Sequence, residues 1–467
     1  MKTQNFKIEE SSFRDNQGNV YYHDNKVIRT VNILGKKNFD FIKDSEILKE
    51  SILKKFLIKT EIIDKKKLPE FFSKFDYILE SKKIPYISYP YEWTFEQLKC
   101  AAIHHLKFQI FLINRGAVLR DASAYNIQFV GCEPYFIDVL SIKKYEEGEY
   151  WIGYKQFCEN FLNPLLLGSL RGINHNKWFR GALEGIETIE LNRLLKFSDK
   201  FSLNIFTHVC LQAKLNIKSI SDPEKVDSKF KKLKKLPKNS YIAILIQLKN
   251  WISKLKFKNE KTIWQNYSNN NTYCFEKKKS KELIVENFIK KHNPETVIDL
   301  GCNTGEYSKL CIKNGTKTVV GFDFDYNAIE KAFIEAKKDK LNFLPLIFDA
   351  SNPSPNQGWK QTERKGFLQR FKSDALLALA FEHHMIIGKN IPIVQFVEWI
   401  LNISNIGLLE FVPKSDKTVK QMLAYREDIF NDYSEKNFEH LLGQRAKIIN
   451  KVKILDSERV IYEFQTL

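Results

Sequence analysis

No apolar run in this chain is long enough to cross a bilayer. The longest, such as Tyr241 to Leu248, fall well below the ~20 residues that a membrane-spanning helix requires. The opening MKTQNFKIEESSFRD carries no apolar signal core, so neither a standard secretion signal nor an integral membrane protein is expected. Cysteine is sparse: seven residues are scattered with no C-x-x-C and no His/Cys pair at finger spacing. An odd, unclustered set fits a reducing cytoplasm and argues against a disulfide framework or structural zinc, so no metal site is expected. Glycine and proline contribute only 19 and 13 of 467 residues, which excludes collagen-like and low-complexity chains. Acidic residues are also short, 56 against 74 lysines and arginines, for a net charge of +18. Most of the excess is lysine in a chain rich in Asn and Ile, so it reads as compositional bias with no specific nucleic-acid partner.

What is present can fill ordinary cores, and the length favours two domains. From Thr296 onward, β-branched runs alternate with amphipathic segments: TVIDLGC, TVVGFDFD, LPLIFDA, DALLALAF and GLLEFV are each followed by helical patterning. This predicts a parallel, doubly wound α/β sheet covered on both faces. KIINKVKILD and RVIYEFQTL then follow with no helix between them, which predicts an antiparallel hairpin at the end of the sheet. Residues 1–225 read as an α+β domain with a long helix from Phe95 to Asn114. Residues 226–260 form a basic, partly helical connection, and 261–467 form the α/β domain. No internal repeat is visible.

The strongest local signal is VIDLGCNTGEYSKL. A strand ending near Asp299, then Gly301 and Gly305 before a helix, predicts backbone N–H groups and a helix N-terminus facing a ligand. Asn303 stands where a dinucleotide fingerprint would place a central glycine. D-L-G-C-N-T-G resembles the first motif of class I S-adenosylmethionine-dependent methyltransferases. That resemblance implies that Asp299, Gly301, Asn303 and Gly305 line the cofactor, that Asp323 accepts from the ribose hydroxyls, and that Asp349 and Ala350 lie near the adenine. More narrowly, TIWQNYSNNNTY, DASNPSPNQGW with ERKG, LALAFEHHM and LLEFVPKSD resemble a bacterial methyltransferase group that includes nodulation-associated, NoeA-like proteins. The N-terminal RDASAYNIQF and FIDVLS extend the resemblance over most of the chain.

Asn352 and Trp359 fall in a loop expected at the ligand end of the sheet, where they would shape an acceptor pocket. Trp264, Tyr267 and Tyr273 precede the sheet and serve either as a lid or as a buried cap. One of His383 and His384, with His384 preferred, is expected to face the methyl acceptor as the catalytic base; the alternative is a histidine that hydrogen-bonds a loop or packs beneath the cofactor. The pair follows an apolar strand, consecutive residues of extended structure face opposite ways, and an imidazole of ordinary pKa, about 6.5, accepts a hydroxyl proton near neutrality.

In the N-terminal half, Asp121 and Asn126 have the D-x-x-x-x-N spacing of a kinase catalytic loop, with Asp138 at the separation of a metal-binding aspartate. This region resembles a protein-kinase or aminoglycoside-phosphotransferase domain. It departs from the pattern in having no glycine-rich loop, Arg29 in place of a lysine, and Leu119 in place of the usual histidine. A degenerate domain is expected, with magnesium and ATP relevant only if it is active; otherwise Asp121 and Asn126 stabilise a loop. The functions in competition are methyl transfer from S-adenosylmethionine to a small molecule or saccharide, bifunctional phosphotransfer with methylation, and RNA methylation. DNA base methylation is disfavoured, because neither an N/D-P-P-Y/F/W motif nor a Pro-Cys nucleophile follows the fourth strand. Acceptor and oligomeric state stay open.

Overall fold

The computed structural model describes residues 6–221, 235–258, 275–370, 372–424 and 426–467. Trp264, Tyr267 and Tyr273 lie outside the described residues, as does most of the basic run before Lys235.

The C-terminal half is a seven-stranded sheet. Five parallel strands, β10 (Thr296–Leu300), β11 (Thr318–Asp323), β12 (Phe343–Ile347), β13 (Ala375–Ala378) and β14 (Ile406–Phe411), are joined by β15 (Ala446–Lys453) and β16 (Val460–Thr466) in the order β12-β11-β10-β13-β14-β16-β15. Strands β15 and β16 form the expected antiparallel pair, and β16 inserts beside β14. The order reverses between β10 and β13, which opens a crevice at the carboxyl ends of the strands. Strand β10 is buried from Val297 to Leu300, as a strand covered on both faces must be.

The N-terminal half opens with β1 (Lys7–Ile8), β2 (Val20–His23), β3 (Lys26–Val31), β4 (Thr60–Ile62) and β5 (Tyr77–Lys82), an antiparallel sheet in the order β1-β2-β3-β5-β4, and continues with β6 (Ala117–Leu119), β7 (Ile127–Val130), β8 (Glu133–Phe136) and β9 (Ile142–Lys144), which pair as β6-β9 and β7-β8. One face carries Tyr21, Ile28 and Ile78, which pack with Phe72 and Phe75 into a separate small core. The long helix forms where expected, Phe95–Asn114, because Thr94 and Gln97 make a reciprocal capping box at its start. The helix Lys238–Lys254 lies across it. Its apolar positions Tyr241, Leu245, Leu248 and Ile252 recur at helical spacing and are buried, and Gln109 donates to the Tyr241 hydroxyl at 2.9 Å. The charged part of that segment is therefore the outer face of a helix that belongs to the N-terminal half.

A continuous buried core runs through both halves. Tyr86 meets Phe322, and Phe129 meets Phe333, at ring distances of 5.5 and 6.0 Å. Gln97 donates to the Pro345 carbonyl at 3.0 Å. Arg370 and Glu92 form a fully buried ion pair across the interface, with Arg370 also over the Tyr89 ring at 4.4 Å.

Candidate functional site

Strand β10 ends at Leu300, and the chain turns through Gly301, Asn303 and Gly305, with φ of 73°, 48° and 77°, into the helix Glu306–Lys313. The positive φ values favour Gly and Asn. A Cβ on Gly305 would lie 2.3 Å from the Phe343 ring, and one on Gly301 would lie 3.0 Å from Phe381. Both glycines are thus required by neighbouring protein as well as by the turn.

The expectation that backbone N–H groups of this turn face a ligand does not hold. Gly301 and Cys302 donate to the Phe322 carbonyl, Asn303 to Asp323, Thr304 to the Asn303 side chain, and Gly305 to the Cys302 carbonyl. What the crevice offers instead is oxygen. Asp323 accepts from Asn303 N and Asp325 N, each at 2.9 Å, one on each carboxylate oxygen, so each oxygen keeps further lone-pair capacity. Burial raises its pKa. Asp299 is fully buried and accepts from Ser308 Oγ at 2.6 Å. Its pKa is pushed up to about 6, first by burial and also by Asp323. Asp349, past the end of β12, accepts from the backbone and hydroxyl of Ser351, with Ala350 half-buried beside it.

His384 departs from the sequence expectation. Strand β13 stops at Ala378, and the histidines occupy the first turn of the helix Glu382–Lys389, so strand alternation does not apply. Their rings lie side by side, 4.2 Å apart. Burial, then His383 and Arg459, lower the His384 pKa to about 4, which leaves the imidazole neutral but a weak proton acceptor near pH 7.

Sequence reasoning missed the polar groups beneath it. Glu382 accepts from Val412 N at 2.6 Å, and the Tyr433 hydroxyl lies 2.9 Å from the same carboxylate. Lys281, Glu410, Arg459 and Asp416 form a chain of alternating charge, with Lys281 and Glu410 fully buried at 2.5 Å. Burial pushes the Glu410 carboxyl up, but Lys281 and Arg459 outweigh it and hold the pKa below the usual range. Glu410 and Asp416 fall in LLEFVPKSD and Glu382 in LALAFEHHM, but their partners Lys281, Arg459 and Tyr433 are distant in sequence.

The loop after Asp349 is held from the other half. Arg180 donates to the Asn352 carbonyl and side-chain oxygen and to the Pro353 carbonyl, at 2.8 to 3.0 Å. Asn352 is therefore engaged by protein, and Trp359 is 63% exposed.

Asp121, Asn126 and Asp138 do converge on one cleft. Asn126 donates to both Asp121 oxygens at 3.1 and 3.0 Å, and Ser141 donates to Asp121 at 2.7 Å. Burial and the Asp138 charge raise the Asp121 pKa. Asp138 is not free: Arg29 pairs with it at 2.8 Å and approaches Asp15 at 3.7 Å. Among the described residues, no group of three His, Cys, Asp or Glu is placed to hold a metal ion.

No family model matches the sequence. Nodulation protein NoeA of Rhizobium meliloti (strain 1021) is 42% identical over 455 residues, 97% of this chain and 95% of that protein. The chain belongs to the NoeA family. Among solved structures, this NoeA-family chain is similar to the N-methyltransferase NodS from Bradyrhizobium japonicum WM9 (9% identity, 41% of this chain and 96% of NodS, TM-score 0.31). It is also similar to magnesium protoporphyrin IX methyltransferase ChlM from Synechocystis PCC 6803 with bound SAH (16% identity, 44% and 93%, TM-score 0.31). WbdD is 15% identical over 47% of the NoeA-family chain and 46% of its own, with a TM-score of 0.32. Each match covers under half of the chain, so the fold description rests on the strand order above.

Proposed function

We propose that this protein transfers the methyl group of S-adenosylmethionine to a small-molecule or saccharide acceptor, with the N-terminal half assisting acceptor binding. The observation that carries this reading is Asp323. It ends the strand next to the glycine turn, is fixed by two backbone N–H groups, and keeps acceptor capacity where a ribose diol would lie. The donor set fits the cofactor: the inward-bonded N–H groups of the turn suit a ligand end that donates, such as an ammonium, better than a phosphate. Asp349 and Ala350 would flank the adenine. When bound, the cofactor supplies an electrophilic methyl on a sulfonium. The protein then has to align the acceptor in line and exclude water, which accounts for most of the catalysis such a displacement needs. The neutral, weakly basic His384 contributes contact and shape at the acceptor side rather than strong proton removal.

The N-terminal half is read as a kinase-like arrangement with little or no phosphotransfer. Convergence of Asp121, Asn126 and Asp138 supports the arrangement, and the Arg29–Asp138 pair, at the position a magnesium ion would need, opposes the activity.

The test is to incubate the purified protein with methyl-labelled S-adenosylmethionine and fractionated extract of its source, then identify the labelled fraction by mass spectrometry. Label in a small molecule or glycan supports the reading. Label in RNA alone, or in nothing, overturns it.

A further inference from the structure

The surface over residues 191–217 is apolar where a folded chain is ordinarily polar. Three of its side chains stand well out of the protein: Phe197 is 78% exposed, Phe201 77% and Leu203 75%. They share one corner. The Phe197 and Phe201 rings meet edge to face at 5.2 Å, and the turn Phe197–Phe201 runs through Ser202 directly into a helix that starts at Leu203. That helix continues to Ser221 through a π segment, Phe206–Leu211. Its inner face, with Ile205, Val209 and Ala213 at four-residue spacing, is buried. An amphipathic helix would carry polar residues on the other side, yet Phe206, Leu211 and Leu215 are exposed there. The i→i+5 bonding of the π segment brings residues five apart, Phe206 and Leu211, onto one side.

The free charge around this corner has one sign. Among residues 191–217 the exposed charged side chains are Arg193, Lys196, Lys200 and Lys214. The single acidic residue of that stretch, Asp199, is engaged by the protein: it accepts from Lys196 N at 2.7 Å and pairs with Arg171. Just before the stretch, Glu190 accepts from the Trp178 indole at 3.2 Å. The adjoining helix Lys238–Lys254 is bound to this one where Gln247 donates to Asn204 at 2.9 Å. It adds the exposed Ile246 and contains lysines but no acidic residue.

We propose that this corner docks the protein peripherally on an anionic phospholipid surface, with Phe197, Phe201 and Leu203 entering the headgroup region and the surrounding cations lying against lipid phosphates. Phe and Leu tips beside Lys and Arg are the composition of interfacial membrane contacts, and each cation close to an anionic leaflet adds attraction. A protein interface would favour Tyr, Trp, Met and Arg and exclude Lys, whereas three of the four cations here are lysines. Side chains that project from a turn also suit a soft bilayer, which needs no shaped complement. Among the described residues, no helix is long and apolar enough to cross a membrane, so the proposed contact is with one leaflet.

The test is flotation of the intact protein with vesicles of phosphatidylcholine alone and of phosphatidylcholine mixed equally with phosphatidylglycerol. The expected result is binding to the mixed vesicles and little to phosphatidylcholine alone. Phe197→Ser with Phe201→Ser should weaken it about tenfold or more, and Lys196→Gln, Lys200→Gln and Lys214→Gln together should weaken it comparably at low salt. All five side chains are exposed, so the melting temperature should not move. Leu53→Ser removes a side chain nearly as exposed on another element, and should bind as the parent does. Phe197→Trp keeps the apolar tip if the serine variant does not fold; its emission should shift to the blue on the mixed vesicles and be quenched by brominated lipid. The proposal is overturned if the protein ignores anionic vesicles or if the tryptophan emission stays unchanged on them. It is equally overturned if binding survives the loss of both phenylalanines, since the net charge of +18 alone would then account for it. Sedimentation that shows self-association dependent on Phe197 and Phe201, without vesicle binding, would assign the corner to a second copy of the chain instead.

Discussion

Two aspartates, one in each half, are held in opposite ways. Asp323 is fixed by backbone N–H groups, one to each oxygen, and stays able to accept more. Asp138 carries a guanidinium, so its charge is spent inside the protein. A carboxylate that is oriented but not neutralised can still accept from a ligand, whereas one paired with an arginine has its charge already met. This difference separates a half whose aspartate keeps the acceptor capacity that the proposed cofactor site needs from one in which an arginine already meets the charge of the aspartate proposed as a metal ligand.

The comparison assumes that the two halves hold each other in one body, and the buried Glu92–Arg370 pair is where that is broken most severely. Glu92→Ala leaves Arg370 buried without its counter-charge and should cost about 3–5 kcal/mol, read as a lowered urea midpoint.

A second interface group sharpens the same point through pH. Glu330 accepts from Glu96 N at 3.3 Å, and burial raises its pKa to about 7. In the folded protein it holds its proton to a higher pH than in the unfolded chain, so its stabilising contribution is full below about pH 4 and is lost as pH rises to 7. Glu330→Gln should therefore be more stable than the parent at pH 8, by about 3 kcal/mol, with the gap closing toward pH 4. Chemical denaturation at the two pH values checks this.

How much of this was legible depended on whether the information was local. The strand ends at Leu300 and Asp323 and the helix Phe95–Asn114 follow from periodicity, turns and caps. The fate of the turn N–H groups was not, since each finds an acceptor inside the turn or on β11. The helical setting of His384 was not legible either, because the strand ends three residues earlier than the apolar run DALLALAF implies, and Arg459 is brought near it only by β16. Arg29 was visible as a missing lysine, but its pairing with Asp138 spans 109 residues.

If the C-terminal site works by alignment, His384→Ala should lower turnover by less than about tenfold, short of the 100-fold or more expected of a general base. Steady-state rates with the identified acceptor measure this, and a larger loss with cofactor affinity intact would restore the histidine as the base.

The central claim is that the oxygen-lined crevice around Asp323 holds S-adenosylmethionine. It is tested most directly by calorimetric titration of the cofactor into the intact protein and into Asp323→Ala. The account predicts saturable binding to the parent and a loss of about 1–3 kcal/mol in the folded variant, roughly a 5- to 150-fold weaker affinity. No binding to the parent, or equal affinity in both, would contradict it.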